Sequence, residues 1–478
     1  MPAASSATDA ARRREDFRDL ENVMKKIRFV DTTLRDGNQS LWDATGLTTG
    51  MILSVAADMD RAGFKAIDFI SSIHMGVSVK YHKENPFEKI RLAARAMPRT
   101  PLSFGTTGRR FIGFVRSPDS IVELVLKTVA ANGIRRVWLI DAAHDIDVIS
   151  KNARMAKQAG IEEFVVALSY SISPVHTDAY YAGKAREIAA CRDVDTVYLK
   201  DQGGLLTPDR VRELVPVIRG AIGEKPLEIH THCSAGLGPQ VYLEAIRQGI
   251  DVLHTAIPPL ADGTSQPSIF EIVEGVSALE CETDVAVEAL KRVSEQLYAI
   301  AEKEGRAPGK PAAYDAAYYE HQVPGGMVST LRRQLGEAGM EHRLPEVIEE
   351  IKLVRKELGY PIMVTPLSQF VGTQAAMNII SGKRYKIVPD GIIQYVLGYF
   401  GESPAPIAPD VLDKVHSLEK TKKMMKEQFP QPTVEEIRKA SGIGPDVSDE
   451  EFLLRYSLKE NEVEAMLAAG PINPEYAC

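Results

Sequence analysis

Hydrophobic positions along the chain follow two alternating rhythms. Short runs rich in β-branched residues fall at Ile27–Asp31, Ala66–Ser71, Pro101–Gly105, Arg136–Asp141, Glu163–Ser169, Thr196–Lys200, Leu227–His232 and Asp251–Ala256. Continuous apolar runs of this length are what strands buried on both faces require. Between them lie stretches such as Thr49–Ala62, Ser120–Ala131 and Pro208–Ile222, where apolar residues recur every three or four positions, as on one face of a helix. Gly63, Gly133, Gly160 and Gly249 each close a helical stretch just before the next strand, the place of a C′ glycine. Eight runs joined by crossovers of about 30 residues predict a (β/α)8 barrel. A doubly wound sheet would need a G-x-G-x-x-G in its first βα turn, and none is present.

Beyond Gly275 the strand rhythm stops. Residues 285–305 and Ser329–Leu358 carry helical periodicity. Proline- and glycine-rich breaks at 359–366 and 403–409 separate further helical pieces that end in Thr433–Ala440 and Ser448–Leu467. The expected fold class is α/β: a (β/α)8 TIM barrel over 26–284, followed by a mainly α-helical C-terminal domain over 285–478. An Ala/Ser-rich, then charged, leader over 1–25 is expected to be flexible or helical.

Composition narrows the function classes. Lys and Arg number 57 against 65 Asp and Glu, a net charge of −8, which argues against nucleic acid as a partner. The 4 cysteines (Cys191, Cys233, Cys281, Cys478) have no C-x-x-C spacing and predict neither a disulfide framework nor a zinc knuckle. No apolar run is long enough for a transmembrane segment, and the first 25 residues lack a secretory h-region, so the expected location is cytoplasmic. The basic run Glu419–Lys426 reads as a solvated helix face.

In a parallel barrel the C-terminal strand ends build the active site, so polar residues closing apolar strands carry the chemistry. The first strand runs into Asp31-Thr32-Thr33-Leu34-Arg35-Asp36-Gly37-Asn38-Gln39-Ser40, the fourth into Asp141-Ala142-Ala143-His144-Asp145, the sixth into Lys200-Asp201-Gln202 and the seventh into His230-Thr231-His232. Residues i and i+2 of a strand point the same way, so His230 and His232 can present two imidazoles to one ion, with Asp36 as an oxygen ligand. His144 and His254 stand alone and read as structural or rim residues. Lys200 closes an apolar run; an interior lysine needs a charge partner, a depressed pKa or a modification. Pairing with Asp36 or Asp201, a Schiff base, or a CO2-derived carbamate all satisfy that need.

Six ordered motifs together carry a resemblance. D-T-T-x-R-D-x-x-Q-S, K-D-x-x-G-L-L-T-P, H-x-H, Gly263-Thr264-Ser265-Gln266-Pro267-Ser268, and the two segments Tyr319–Gly326 and Pro366–Gln374 resemble the biotin-dependent carboxyltransferases. These include the carboxyltransferase domain of pyruvate carboxylase, the oxaloacetate decarboxylase α subunit and the transcarboxylase large subunit. The resemblance implies a divalent metal (Zn, Mn or Co) held by Asp36, carbamylated Lys200, His230 and His232. It implies that Arg35 and Gln39 grip the oxygens of a 2-oxo acid, that Thr264 shuttles a proton between substrate carbon and biotin, and that Ser268 lies with Thr264 in the biotin-contacting loop. It also implies a homodimer within a larger complex, an acceptor that is a small organic acid or ketone, and an enolate intermediate.

Three departures mark the substrate pocket. Thr107 stands where the family carries a carboxylate-gripping arginine, with Arg109 and Arg110 nearby but out of place. Ile70-Ser71-Ser72-Ile73-His74-Met75-Gly76 replaces W-G-G-A-T-F-D. Arg35-Asp36-Gly37-Asn38-Gln39 replaces R-D-A-H-Q. Pyruvate is therefore expected to be a poor acceptor. No A-M-K-M biotinyl turn is present, so biotin is expected on a separate biotin carboxyl carrier protein, loaded by a biotin carboxylase subunit. The alternative is a biotin-independent metal-dependent C–C lyase or aldolase on the same barrel; a non-catalytic scaffold is a third reading, opposed by the full set of metal-ligating residues.

Overall fold

The computed structural model describes residues 24–476, except 114–115, 317, 320–321, 323–330, 333–334, 338 and 427–428. Most of the leader, Cys478 and most of the Tyr319–Gly326 motif lie outside the described residues. Eight parallel strands close into a barrel in sequence order: β1 (Arg28–Asp31), β2 (Ala66–Ser71), β3 (Leu102–Thr106), β4 (Arg136–Leu139), β5 (Glu163–Ser169), β6 (Thr196–Asp201), β7 (Leu227–Thr231) and β8 (Val252–Thr255). Each coincides with a run expected from the sequence to within two residues. The register of β1 on β8 pairs Asp31 with Thr255, and that of β6 on β7 pairs Lys200 with His230. The candidate ligands on β6 and β7 therefore sit side by side at one end of the barrel.

The strands form because their apolar runs are covered on both faces. Outside, crossover helices such as Thr49–Arg61, Asp119–Ala131 and Pro208–Ile222 bury Met59, Val125 and Leu214 against the sheet in one large core. Inside, Trp138, Ile140, Val165, Ala167 and Tyr198 form a small apolar layer, with Val364 of the helical region packed on it. A second interior layer is ionic. Arg136 donates from Nε to Glu163 at 2.9 Å and from Nη2 to Glu228 at 2.5 Å, and Lys65 donates to the same two carboxylates at 2.7 and 2.5 Å. Two cations facing two anions make this buried layer neutral, as burial demands.

After the barrel, the helix Val287–Lys303 packs Leu290, Val293 and Leu297 into the barrel core. A separate core follows, built on the helices Leu344–Glu357, Leu367–Ser381, Asp390–Val396 and Pro409–Ser417 from Val347, Ile351, Val371, Ile392 and Val415. The chain then returns. Ile437, Phe452, Leu453, Leu454, Val463 and Met466 join the barrel core, and Glu450 accepts from Arg91 and Asn132. The expected helical stretch Ser448–Leu467 is two helices, Asp449–Ser457 and Glu460–Ala469. Leu458 between them is extended, and the Glu462 carboxylate accepts from the Lys459 amide to start the second. The basic run forms the helix Glu419–Lys426, with Lys422 and Lys423 exposed. Cys191, Cys233 and Cys281 are free thiols, and no helix among the described residues is long and apolar enough to cross a membrane.

Candidate metal and carboxyl-transfer site

β1 does not pass directly into a regular helix. Residues Thr33–Gly37 form a wide turn of π-helix, with the Gly37 amide donating to the Thr32 carbonyl at 2.9 Å. Such a bulge aims consecutive side chains in directions an α-helix would not allow. Gly37 is required there: a Cβ would lie 2.6 Å from the Leu260 carbonyl oxygen. The turn leaves Arg35 and Asp36 buried side by side, 3.2 Å apart.

Oδ2 of Asp36 lies 3.1 Å from Nε2 of His230 and 3.5 Å from Nε2 of His232, and one candidate ligand atom from each of the three residues falls within 4.8 Å of the others. Two nitrogen groups fill the space among them. The Gln266 amide nitrogen is 3.2 Å from Asp36, 3.3 Å from His230 and 3.0 Å from His232; Lys200 Nζ is 3.1 Å from His230 and 3.9 Å from Asp36. Burial alone would raise the Asp36 pKa, but the adjoining Arg35 guanidinium outweighs it and holds the carboxyl well below the usual range. Burial pulls the Lys200 amine down to about 8. Nδ1 of His232 lies 2.6 Å from the Thr264 carbonyl oxygen, which can only accept, so that nitrogen carries the proton and Nε2 turns a lone pair to the site. The donor set (one carboxylate, two imidazoles, and an amine able to become a carbamate) fits a divalent transition metal.

Arg35 is fixed from two sides. Asp68, buried in the middle of β2, accepts from its Nε at 2.8 Å and its Nη2 at 2.5 Å, and the guanidinium lies 4.7 Å over the Trp138 ring. Arg35, Asp36, Gln39, Lys200, His232 and Thr264 all line one cavity of about 720 Å³ at the barrel mouth, which Thr365, Ser368 and Gln369 of the helical region help to wall. Gln39 Oε1 and Thr107 Oγ1 are buried and meet no hydrogen-bond partner among the described residues. The Thr264 hydroxyl donates to the Ser40 carbonyl at 2.8 Å, tying the β8 loop to the β1 turn. Ser268 is placed differently. It heads the helix Ile269–Ala278, donates its amide to Asp262, and is not among the residues lining the cavity.

Of the two arginines near Thr107, Arg109 is committed to Asp141 at 2.7 Å and Asp145 at 2.8 Å, whereas Arg110 lines the cavity. Three residues that assist the site were not assigned roles from the sequence: Asp68, Trp138 and Gln266. A carboxylate within the otherwise apolar run Ala66–Ser71 was the available signal for Asp68, because a fully buried acid must have a partner.

Comparison with known proteins accords with this geometry. Residues 26–297 match the HMGL-like family model, and residues 318–464 match the conserved carboxylase domain. A pyruvate carboxylase subunit of Methanocaldococcus jannaschii is 36% identical over 90% of this chain and 76% of its own length. The chain belongs to the biotin-dependent carboxyltransferase family. The 2-oxoglutarate carboxylase large subunit of Hydrogenobacter thermophilus (32% identical, 84% of this chain, 62% of that one) and the methylmalonyl-CoA carboxyltransferase 5S subunit of Propionibacterium freudenreichii (29%, 81% and 76%) are further relatives of this carboxyltransferase. The carboxyl transferase domain of Rhizobium etli pyruvate carboxylase, solved with oxamate and biotin, superposes with a TM-score of 0.83 at 22% identity, covering 96% of this chain and 80% of that one, which shows the shared fold. The family expected from the six motifs is thus the family found, and this carboxyltransferase is an enzyme.

Proposed function

We propose that the chain is the carboxyltransferase component of a multisubunit, cytoplasmic biotin-dependent carboxylase or decarboxylase. It exchanges a carboxyl group between carboxybiotin, on a separate biotin carboxyl carrier protein loaded by a biotin carboxylase subunit, and a small organic acid or ketone. The observation that carries this reading is the convergence of Asp36, His230 and His232, with Lys200 beside them, at a place where Asp36, Lys200 and His232 line the same cavity as Arg35, Gln39 and Thr264.

Asp36, His230, His232 and carbamylated Lys200 would hold zinc, manganese or cobalt. Bound there, the ion supplies Lewis acidity toward an acceptor carbonyl. Arg35, already anchored by Asp68, presents its remaining N–H groups to the developing enolate oxygen, and Gln39 accepts or donates beside it. Thr264 moves the proton. Its Oγ takes the hydrogen from the acceptor carbon and gives its own to the biotin ring nitrogen as the N–CO2 bond breaks and the new C–C bond forms. Ser268 contributes by holding the loop that presents Thr264, through Asp262. With Thr107 in place of an arginine and Arg109 committed elsewhere, Arg110 is the group assigned to the acceptor's carboxylate. Burial pulls its pKa down to about 10, so it stays charged at neutral pH. Its shifted position favours an acceptor other than pyruvate. The chain is assigned as a homodimer within the assembly.

Reconstitution tests the reading. The purified chain should turn over no 2-oxo acid at an appreciable rate by itself, and a biotinylated carrier should restore turnover that avidin then blocks. Turnover by the chain alone, insensitive to avidin, identifies a biotin-independent lyase instead.

A further inference from the structure

Below the metal-ligand set, a chain of three buried side chains links His230 to the ionic layer of the barrel. Nδ1 of His230 lies 3.3 Å from Nδ1 of His254, and Nε2 of His254 lies 2.9 Å from Oε2 of Glu228. Glu228 is wholly buried and receives Arg136 and Lys65 as well.

Proton bookkeeping along this chain starts from Glu228. The Glu228 carboxylate can only accept, so Nε2 of His254 carries a hydrogen. The ionic layer is already neutral, with Lys65 and Arg136 against Glu163 and Glu228, so a second proton on His254 would leave a buried excess charge. Nδ1 of neutral His254 is then an acceptor, and the 3.3 Å Nδ1–Nδ1 contact places the hydrogen on Nδ1 of His230. That leaves Nε2 of His230 as a lone pair, which accepts from the Lys200 amine and the Gln266 amide and stands with the Asp36 carboxylate as a fellow electron-pair donor toward an ion.

We infer that His254 is a positioning residue: backed by Glu228, it locks His230 in the tautomer that can ligate a metal. The inference rests on the metal site proposed above. A histidine that ligates a metal ordinarily donates its other N–H to a carboxylate, a carbonyl or water. Here a second imidazole is interposed, so the carboxylate acts on the metal ligand from one residue further away. His254 carries no role in proton transfer to substrate, because it is not among the residues lining the cavity.

The test uses the full chain stripped of metal. Zinc affinity is measured by competition with a chromophoric chelator, and the cobalt(II) absorption spectrum reports ligand geometry. His254→Leu should weaken zinc about 10–100-fold and alter the cobalt spectrum. His254→Asn, whose side-chain oxygen replaces the Nδ1 acceptor, should recover most of that loss. Equal affinity and spectrum in His254→Leu overturns the inference, and so does an equal loss in both variants, which indicates packing alone. Should His254→Leu fail to fold, the 15N shifts of the His230 ring in the metal-free parent decide the matter. A protonated Nδ1 with a bare Nε2 supports the lock, and the opposite tautomer or an imidazolium refutes it. Failure of the parent to bind zinc or cobalt at all counts against the proposed metal site itself, a result separate from any difference between the variants.

Discussion

The indole Nε1 of Trp138 donates to Oδ1 of Asp68 at 2.8 Å. The other carboxylate oxygen takes Arg35, whose guanidinium lies over the same indole. One aromatic side chain thus orients an acid with its edge and the acid's cation with its face. Asp68→Ala leaves the buried guanidinium with Asp36 as its one remaining carboxylate and should cost about 3–5 kcal/mol of stability, read by chemical denaturation. Asp68→Asn keeps the shape but weakens the charge-assisted bonds, worth about 1.5–3 kcal/mol, so kcat/KM for the carboxyl acceptor should fall tenfold or more.

Gly105 on β3 makes room for that indole. A Cβ there would lie 2.0 Å from Cζ2 of Trp138, closer than any side chain tolerates. Gly105→Ala should therefore push Trp138 off Asp68 and cost about 1–3 kcal/mol as an overpacked core does. Its loss of acceptor binding should parallel that of Asp68→Asn in the same assay.

Lys200 sets a pH dependence. Its amine is held near 8 by burial, so at constant dissolved CO2 a 13C carbamate signal should grow as pH rises through that value and be absent in Lys200→Ala. Stability carries the same sign. Between about 8 and the unfolded value of 10.5 the unfolded chain binds the additional proton, so the metal-free protein should gain stability as pH rises across that window. Lys200→Met should flatten the slope, as denaturant titrations at the two ends of the window would reveal.

Thr264→Ala should abolish carboxyl transfer in the reconstituted system while metal content, by elemental analysis, stays at the parental level. The backbone carbonyl that holds His232 survives this change. Thr264→Ser retains the hydroxyl and should keep substantial transfer. Loss of metal in Thr264→Ala would reassign the residue from chemistry to support of His232.

Arg109 and Arg110 should separate cleanly. Arg110→Ala should raise KM for an acid acceptor by roughly one to two decades, the worth of a charge-assisted bond of about 1.5–3 kcal/mol. Arg109→Ala breaks the pairs to Asp141 and Asp145 and should lower the melting temperature more than it changes KM. Pyruvate, tried among other acids with the carrier present, should be carboxylated more slowly than the best acceptor.

Much of the barrel was legible because its strands are buried on both faces. Ala66–Ser71 and Glu163–Ser169 were readable to the residue, since short, mainly apolar runs between helical periods suit strands covered on both faces. The metal-ligand candidates were legible for a related reason: strand alternation alone places His230 and His232 on one side. The support beneath them was not. Asp68 meets Trp138 across 70 residues and His230 meets His254 across 24, and no local pattern encodes which interior side chains face each other across a closed sheet. The same blindness applies to the last helices. Their amphipathic pattern announces an apolar face, but the core it covers depends on where the chain has travelled.

That route has a mechanical consequence. The polypeptide leaves the barrel after the helix ending at Lys303, builds a separate core, and comes back to bury Phe452, Leu454 and Met466 against the barrel wall. The helical lobe is therefore a handle riveted at both ends rather than a tail hung from one. Cutting the chain after Lys303 strips plating from the barrel along with the lobe. Excising only the lobe and splicing its two anchors leaves that plating in place. The wall that Ser368 and Gln369 give the cavity is thus tethered to the barrel from both directions along the chain.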